Sequence, residues 1–242
     1  MDLNASESAR IRSVYGRREA NPAVQDMYGP FNPGELFSIQ QRQREVLSLL
    51  RKHGLNPLAG RNILDVGCGT GEVLIEFLGF GAEPTCLHGV DLMHGRLAKA
   101  RARLPHSSLS CADAQSLPYP DHSFSVVLQY TAFSSILDDR ARGNVAAEML
   151  RVLRHDGVIL WYDFWLNPGN PETRGIKRRE IRRLFPSCRC DFRRVTLAPP
   201  VARSLAKHSL LLCYLLERIP LLRTHHLVAI TKGDVKNLTS DL

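Results

Sequence analysis

The sequence predicts an α/β fold: a mainly parallel, seven-stranded sheet with helices on both faces, an N-terminal arm and a C-terminal helical insertion. Three observations carry this expectation. From about residue 60 to 164, short apolar runs alternate with helix-length amphipathic segments, the pattern of a parallel sheet whose crossovers are helices. A glycine-rich stretch, 67–71, lies between the first apolar run and the first of those helices. The chain's 242 residues, 44% of them hydrophobic, suffice to bury one large core but fit two full domains poorly.

The elements follow in chain order. Residues 1–36 read as an arm or lid, punctuated by the turn signals Asn21-Pro22, Gly29-Pro30 and Asn32-Pro33-Gly34. Tyr15, Tyr28 and Phe31 make it too aromatic for a simple disordered tail. The domain proper spans 37–242. It opens with an amphipathic helix over 37–53, whose apolar positions are Ile39, Val46, Leu47, Leu49 and Leu50. Strands are expected at 62–66, 85–91, 108–112, 123–129 and 158–164. The helices between them fall at 71–80, 94–103 and 144–154, the last closed by a His155-Asp156-Gly157 turn. Beyond them, 177–185 reads as helix, 189–197 as strand, 201–218 as mostly helical and 226–231 as a last strand. Residues 198–224 would then form the helical insertion.

Composition limits the setting. The net charge of +8 makes anionic partners worth considering, although it speaks to association rather than reaction type. The six cysteines form no C-x-x-C pair, and no His pair stands at zinc spacing, so no metal site is expected. Cys188 and Cys190 fall on one side of a strand. The start of the chain has no basic, apolar and small-residue sequence of a secretory leader, so reduced thiols and a cytoplasmic location are expected. The most apolar run, 210–216, is far below the roughly 20 residues that span a bilayer. It reads as a buried helix.

The chemistry is concentrated at the glycine stretch, Leu64-Asp65-Val66-Gly67-Cys68-Gly69-Thr70-Gly71-Glu72. Glycines admit unusual dihedrals and let a ligand approach the main chain, and the helix that follows offers free N–H groups to a carboxylate. A dinucleotide fingerprint would put its third glycine at 72. Glu72 stands there, and a negative side chain is ill suited to a pyrophosphate. Asp91 ends the second strand about 20 residues on, where an acid can accept both hydroxyls of a ribose.

The pattern Asp65-x-Gly67-x-Gly69-x-Gly71 resembles motif I of class I S-adenosylmethionine-dependent methyltransferases. Three more stretches fall in order: Gly89-Val90-Asp91-Leu92, Asp113-Ala114 followed by Ser116-Leu117-Pro118-Tyr119-Pro120-Asp121-His122-Ser123-Phe124, and Glu148-Met149-Leu150-Arg151-Val152-Leu153-Arg154 with Gly157. Together, over about 60–164, they look like the domain called methyltransferase type 11. The resemblance implies a Rossmann-like sheet and S-adenosylmethionine as cofactor. It implies contacts from Asp65, Gly67, Cys68, Gly69, Thr70 and Gly71, from Asp91 and Leu92 to ribose, from Asp113 and Ala114 to adenine, and from Gln129. The chain departs from the family at Ser125, often Asp there, and at 130–135, which lacks the His often found after the fourth strand.

A sulfonium is already a good leaving group, so the reaction implied is in-line methyl displacement, driven by alignment and exclusion of water. A base is needed only for an acceptor protonated at neutral pH. Tyr28, Tyr130 and Asp163 are the catalytic candidates. Tyr130 and Asp163 lie at carboxyl ends of strands, and Tyr28 lies in the arm; each has a structural reading beside the catalytic one. His225-His226 opens a strand at what reads as the wrong end for a role. The acceptor reading is a small molecule or biosynthetic intermediate, anionic or hydrophobic in character. Two alternatives stand beside it. An RNA, glycan or lipid-linked acceptor would use the basic stretch 174–194, and a cofactor-binding regulator would transfer nothing. No Asn/Asp-Pro-Pro-aromatic motif follows the fourth strand, which weighs against base-amino methylation of RNA.

Overall fold

The computed structural model describes residues 3–20, 27–29, 31–167 and 170–233. The turn expected at Asn21-Pro22, and Pro30, lie outside the described residues. Seven strands form one sheet in the order β3-β2-β1-β4-β5-β7-β6. They are β1 (Ile63–Val66), β2 (Leu87–Asp91), β3 (Ser108–Cys111), β4 (Phe124–Tyr130), β5 (Leu153–Phe164), β6 (Cys188–Leu197) and β7 (Arg223–Lys232). The first five pair in parallel. β7 runs antiparallel to both β5 and β6. The result is the Rossmann-like, mainly parallel sheet expected, with one reversed strand.

Period-two alternation assigns the two faces. Ile63, Val126, Leu128, Val158, Leu160, Leu227 and Ala229 point to one core. There they meet α2 (Pro33–Lys52), α3 (Glu72–Gly79) and α4 (His94–Arg103) through Leu49, Leu74, Phe77 and Leu97. Leu64, Val66, Val127, Ile159, Trp161 and Val228 point the other way, onto Val145, Ala146 and Met149 of α5 (Asp139–Val152) and Ile181 of α6 (Arg178–Leu184). Burying each large apolar side chain contributes about 1.5–3 kcal/mol, so both faces are firmly held. α1 (Leu3–Glu19) buries Val14 and packs Ile11 on the second core.

Several boundaries differ from expectation for local reasons. Asn32-Pro33-Gly34 starts a helix instead of making a turn. The Asn32 side chain accepts from the Gly34 and Glu35 N–H groups, and Pro33 takes the first turn, where its missing N–H costs nothing. α2 therefore begins inside the expected arm. His155-Asp156-Gly157 is not a turn, because β5 runs unbroken from Leu153, with the register shift taken up between Phe124 and Val126 of β4. Residues 84–86 form a 3-10 turn, so β2 starts later than expected. The stretch 201–218 is two short helices, α7 (Pro199–Leu205) and α8 (Leu210–Leu216), instead of one. The ends of the 198–224 insertion are tied by Ala198 N–H to Leu222 O (2.8 Å) and Trp165 N–H to Thr224 O (3.0 Å).

Candidate active site

The order of the sheet reverses between β1 and β4, and the loops leaving their carboxyl ends diverge there, where open α/β sheets take ligands. A cavity of about 1410 Å³ opens at this point. The chain after β1 turns sharply, with Gly67 and Cys68 N–H both donating to Val90 O at 2.8 and 3.0 Å. Gly67 and Gly69 have φ of +82° and +55°. A Cβ on Gly67 would stand 2.9 Å from Ala132 Cβ, and one on Gly69 would stand 2.5 Å from the Arg96 guanidinium. Only glycine satisfies both the dihedral and the space.

Acids surround this loop. Asp91 Oδ2 accepts from Gly69 N–H at 2.9 Å, and its Oδ1 accepts from Met93 N–H at 2.8 Å, so the carboxylate fixes the loop while still lining the cavity. Asp65 is almost fully buried, and its Oδ2 has no hydrogen-bond partner. Burial, then the nearby Asp91 and Glu72 charges, push its carboxyl up to about 8. Burial, then the Asp65 and Asp91 charges, raise the Cys68 thiol. Asp113 accepts from Gln115 N–H (2.9 Å) and from the Ser8 hydroxyl (2.6 Å).

Asp65, Gly67, Cys68, Gly69, Thr70, Asp91, Leu92, Asp113 and Ala114 all line this one cavity. Two expected cofactor residues stand apart from it. Gly71 caps α3 from a left-handed conformation and packs beneath Leu104, while Gln129 is buried and accepts from Ala132 N–H (2.8 Å), bracing the turn behind the wall.

The arm closes one side. Glu7 accepts from Leu137 N–H (2.6 Å), Arg10 donates to Ser135 O (2.5 Å), and the Tyr15 hydroxyl lies 3.0 Å from Ser135 Oγ. Arg96 of α4 sits 5.0 Å over the Tyr15 ring and pairs with Glu19, so α1 is fastened to the segment after β4 and to α4 beside the glycine loop. Tyr28 lies at the mouth, largely exposed, with Arg203 over its ring.

Beyond the loop the cavity continues over Tyr130, Tyr162, Thr196 and His225. Arg42 of α2 lies over the Tyr130 and Tyr162 rings at 5.4 and 5.3 Å and is ion-paired with Glu76. The Tyr130 hydroxyl is buried without a partner, and burial holds it protonated. Tyr162 shares a 2.8 Å hydrogen bond with Thr196 and stacks flat on His225, with ring centroids 4.7 Å apart. Burial, then the Arg42 charge, bring His225 down to about 3, so it is a neutral imidazole. Asp163 differs from its expected role. It is buried off the cavity, and its two oxygens accept from Ser134 N–H (3.0 Å) and Phe164 N–H (2.8 Å).

Sequence reasoning missed Arg42 and His225. His225 read as lying at the wrong end of its strand. Because β7 is antiparallel, with His225 opposite Phe164, its first residues arrive at the carboxyl ends of the parallel strands. Arg42 carries no motif; it is one of several cations on an amphipathic helix and shares its side with Glu35.

The comparisons with known proteins meet this geometry at its donor end. Residues 63–157 match the family described as Methyltransferase domain, the segment from β1 to the start of β5. Over residues 63–157 the chain carries a methyltransferase domain. It is 34% identical over 140 residues to 27-O-demethylrifamycin SV methyltransferase of Amycolatopsis mediterranei, covering 54% of this chain and 50% of that protein. It is 26% identical over 175 residues to the ubiquinone/menaquinone biosynthesis C-methyltransferase of Geobacter sulfurreducens, covering 69% and 66%. The chain thus spans about half the length of several curated relatives it matches. Its fold is shared with the Burkholderia thailandensis 1,6-didemethyltoxoflavin-N1-methyltransferase, solved with 1,6-didemethyltoxoflavin and S-adenosylhomocysteine. The TM-score is 0.65 at 17% identity, over 97% of this chain and 92% of that one.

The cofactor of this domain class is S-adenosylmethionine, and the cavity suits it: a glycine cradle that any Cβ would fill, and a buried carboxylate oxygen with no partner. The basic stretch stands elsewhere. None of residues 174–194 lines the cavity. Arg174 bridges Asp139 and Glu180, Arg193 pairs with Glu45, and Arg178 and Arg182 lie over the Phe192 ring. Among the described residues no helix is long and apolar enough to cross a membrane.

Proposed function

We propose that the chain transfers a methyl group to O, N or C of a small-molecule acceptor held over Tyr130, Tyr162 and His225. The observation that carries this reading is the continuity of one cavity from the glycine loop, with its unpartnered Asp65 oxygen, to that aromatic chamber. When bound, S-adenosylmethionine supplies a methyl on a sulfonium, a centre that needs no activation by the protein.

The chain's own residues then have divided roles. The Gly67–Thr70 backbone and Asp65 receive the amino-acid end, Asp91 with Leu92 the ribose, and Asp113 with Ala114 the adenine. Asp65, ionised by a cationic partner, answers an ammonium better than any neutral group would. In the chamber, Arg42 stiffens the two tyrosines, and the Tyr130 hydroxyl donates to an acceptor oxygen or ring nitrogen. Neutral His225 supplies a hydrogen-bonding ring without adding charge. α1 excludes water from the donor side. Asp163 positions the turn at 133–135 and touches no acceptor.

The test is a labelled-methyl transfer screen against purified metabolite, glycan, lipid and RNA fractions, with S-adenosylhomocysteine affinity measured in parallel. Transfer to a low-molecular-weight fraction supports the reading. Tight cofactor binding with no transfer to any fraction would favour a regulator, and transfer to RNA would return attention to the basic face.

A further inference from the structure

The helical insertion presents an apolar surface that the domain does not cover. α8 reads Leu-Leu-Leu-Cys-Tyr-Leu-Leu, and of its seven residues only Cys213 is buried. Leu211 is 70% exposed, Leu215 55%, and Leu221 in the following turn 79%. Leu210, Leu212 and Tyr214 are exposed beside them. A solvated helix has a polar outer face, and this one has leucine on it.

The inner side is anchored. Cys213 packs with Phe37, Leu197, Ala202 and Ala206 in one cluster, and Phe37 meets Tyr214 edge-on at 5.1 Å. The patch is therefore a fixed continuation of the wall formed by α7, whose Pro199, Pro200 and Arg203 line the cavity.

Its charge selects the occupant. Lys207 and Arg218 flank the leucines, both exposed, and Arg44 lies 5.5 Å over the Tyr214 ring. Between residues 199 and 224 the sole acid is Glu217, drawn in toward Arg44 at 3.5 Å. A second copy meeting this face symmetrically would oppose cations with cations. An anionic lipid surface matches both features: acyl chains for the leucines and headgroups for the cations.

We infer that α8 and the turn at 220–222 dock the protein on an anionic lipid surface. At about 1.5 Å per residue α8 is near 10 Å long, so it lies in the interface and spans nothing. Because α7 joins the patch to the cavity mouth, a docked molecule turns that mouth toward the lipid. On the transfer reading, an amphiphilic acceptor is then the kind it meets.

The experiment is co-sedimentation with vesicles of phosphatidylcholine alone and of equal parts phosphatidylcholine and phosphatidylglycerol. The wild type and the variant Leu211→Ser/Leu215→Ser/Leu221→Ser are compared. The wild type is expected to bind the mixed vesicles about tenfold or more tightly than the neutral ones, and less as salt is raised. The triple variant should lose about tenfold or more of that binding. Its thermal unfolding and S-adenosylhomocysteine affinity should not change, since the three side chains are exposed and away from the cofactor loop. No binding to mixed vesicles, equal binding to both kinds, or unchanged binding by the variant would overturn the inference. So would a wild-type dimer that the variant dissolves. Failure of the transfer reading would appear in the cofactor titration and methyl screen, leaving the vesicle result untouched.

Discussion

Asp65 couples cofactor affinity to pH if its carboxylate meets an ammonium group. With the carboxyl pushed up to about 8 by burial and neighbouring acids, roughly 1% of the free protein is ionised there at pH 6 and roughly 9% at pH 7. A ligand that binds only the ionised form should gain about ninefold in affinity across that interval, or about 1.3 kcal/mol. An α-amino group, with an ordinary pKa of about 8, stays mostly charged over the same range. The assay is calorimetric titration with S-adenosylhomocysteine in two buffers of different ionisation enthalpy, which also reads a release of nearly one proton. Asp65→Asn should bind about tenfold more weakly where the wild type is ionised, and without the slope. A second consequence has the opposite sign. The folded pKa lies above the unfolded one, so the penalty is absent below about pH 4 and grows as pH rises toward 8. Asp65→Asn should therefore stabilise the free protein at pH 7 by on the order of 4 kcal/mol. A flat affinity between pH 6 and 7, or the same slope in Asp65→Asn, would refute the coupling.

Other perturbations test neighbouring parts of the cavity. Gly67→Ala places a Cβ 2.9 Å from Ala132 at φ +82°, so S-adenosylhomocysteine affinity should fall about tenfold or more by calorimetry. Arg42→Met leaves Glu76 half-buried and unpaired, and should cost about 3–5 kcal/mol in urea unfolding, most of it restored by adding Glu76→Gln. Arg10→Ala removes a guanidinium held by Glu7 and Ser135 O, and should speed stopped-flow release of S-adenosylhomocysteine about tenfold with little change in sheet stability. His225→Phe keeps the stack on Tyr162 but removes the ring nitrogens. Transfer to an acceptor found in the methyl screen should fall about tenfold while cofactor affinity is unchanged.

The donor half of the cavity is legible in the sequence because it is local. Strand, glycine turn, helix and the acid ending β2 follow one another within 30 residues, and each has a backbone reason for its residue type. The acceptor half is assembled from distant pieces. Arg42, Tyr130, Tyr162 and His225 meet only through the packing of α2 on the sheet and the reversal of β7, and neither leaves a spacing to read. Boundaries failed where polar residues kept regular structure. Asn32-Pro33-Gly34 has turn composition yet caps a helix, and His155-Asp156-Gly157 extends β5 where its early residues are exposed. Asp163, an acid at a strand end, has the position of a catalytic group, but two backbone N–H groups occupy its oxygens.

The reversed β7 also sets an order of assembly. It wedges between β5 and β6, and among the described residues β6 pairs with no other strand. As the chain leaves the ribosome, β1 to β5 and the glycine loop can come together first, because every parallel pairing among them is complete by residue 164. Until residues 223–232 emerge, β5 is an open edge that shows Ile159, Leu160 and Trp161 to the surroundings. The nascent domain should therefore gain a donor cradle well before it has a place for an acceptor. A ribosome stalled near residue 200 should display an adhesive sheet edge, which links the last stretch of synthesis to both specificity and aggregation.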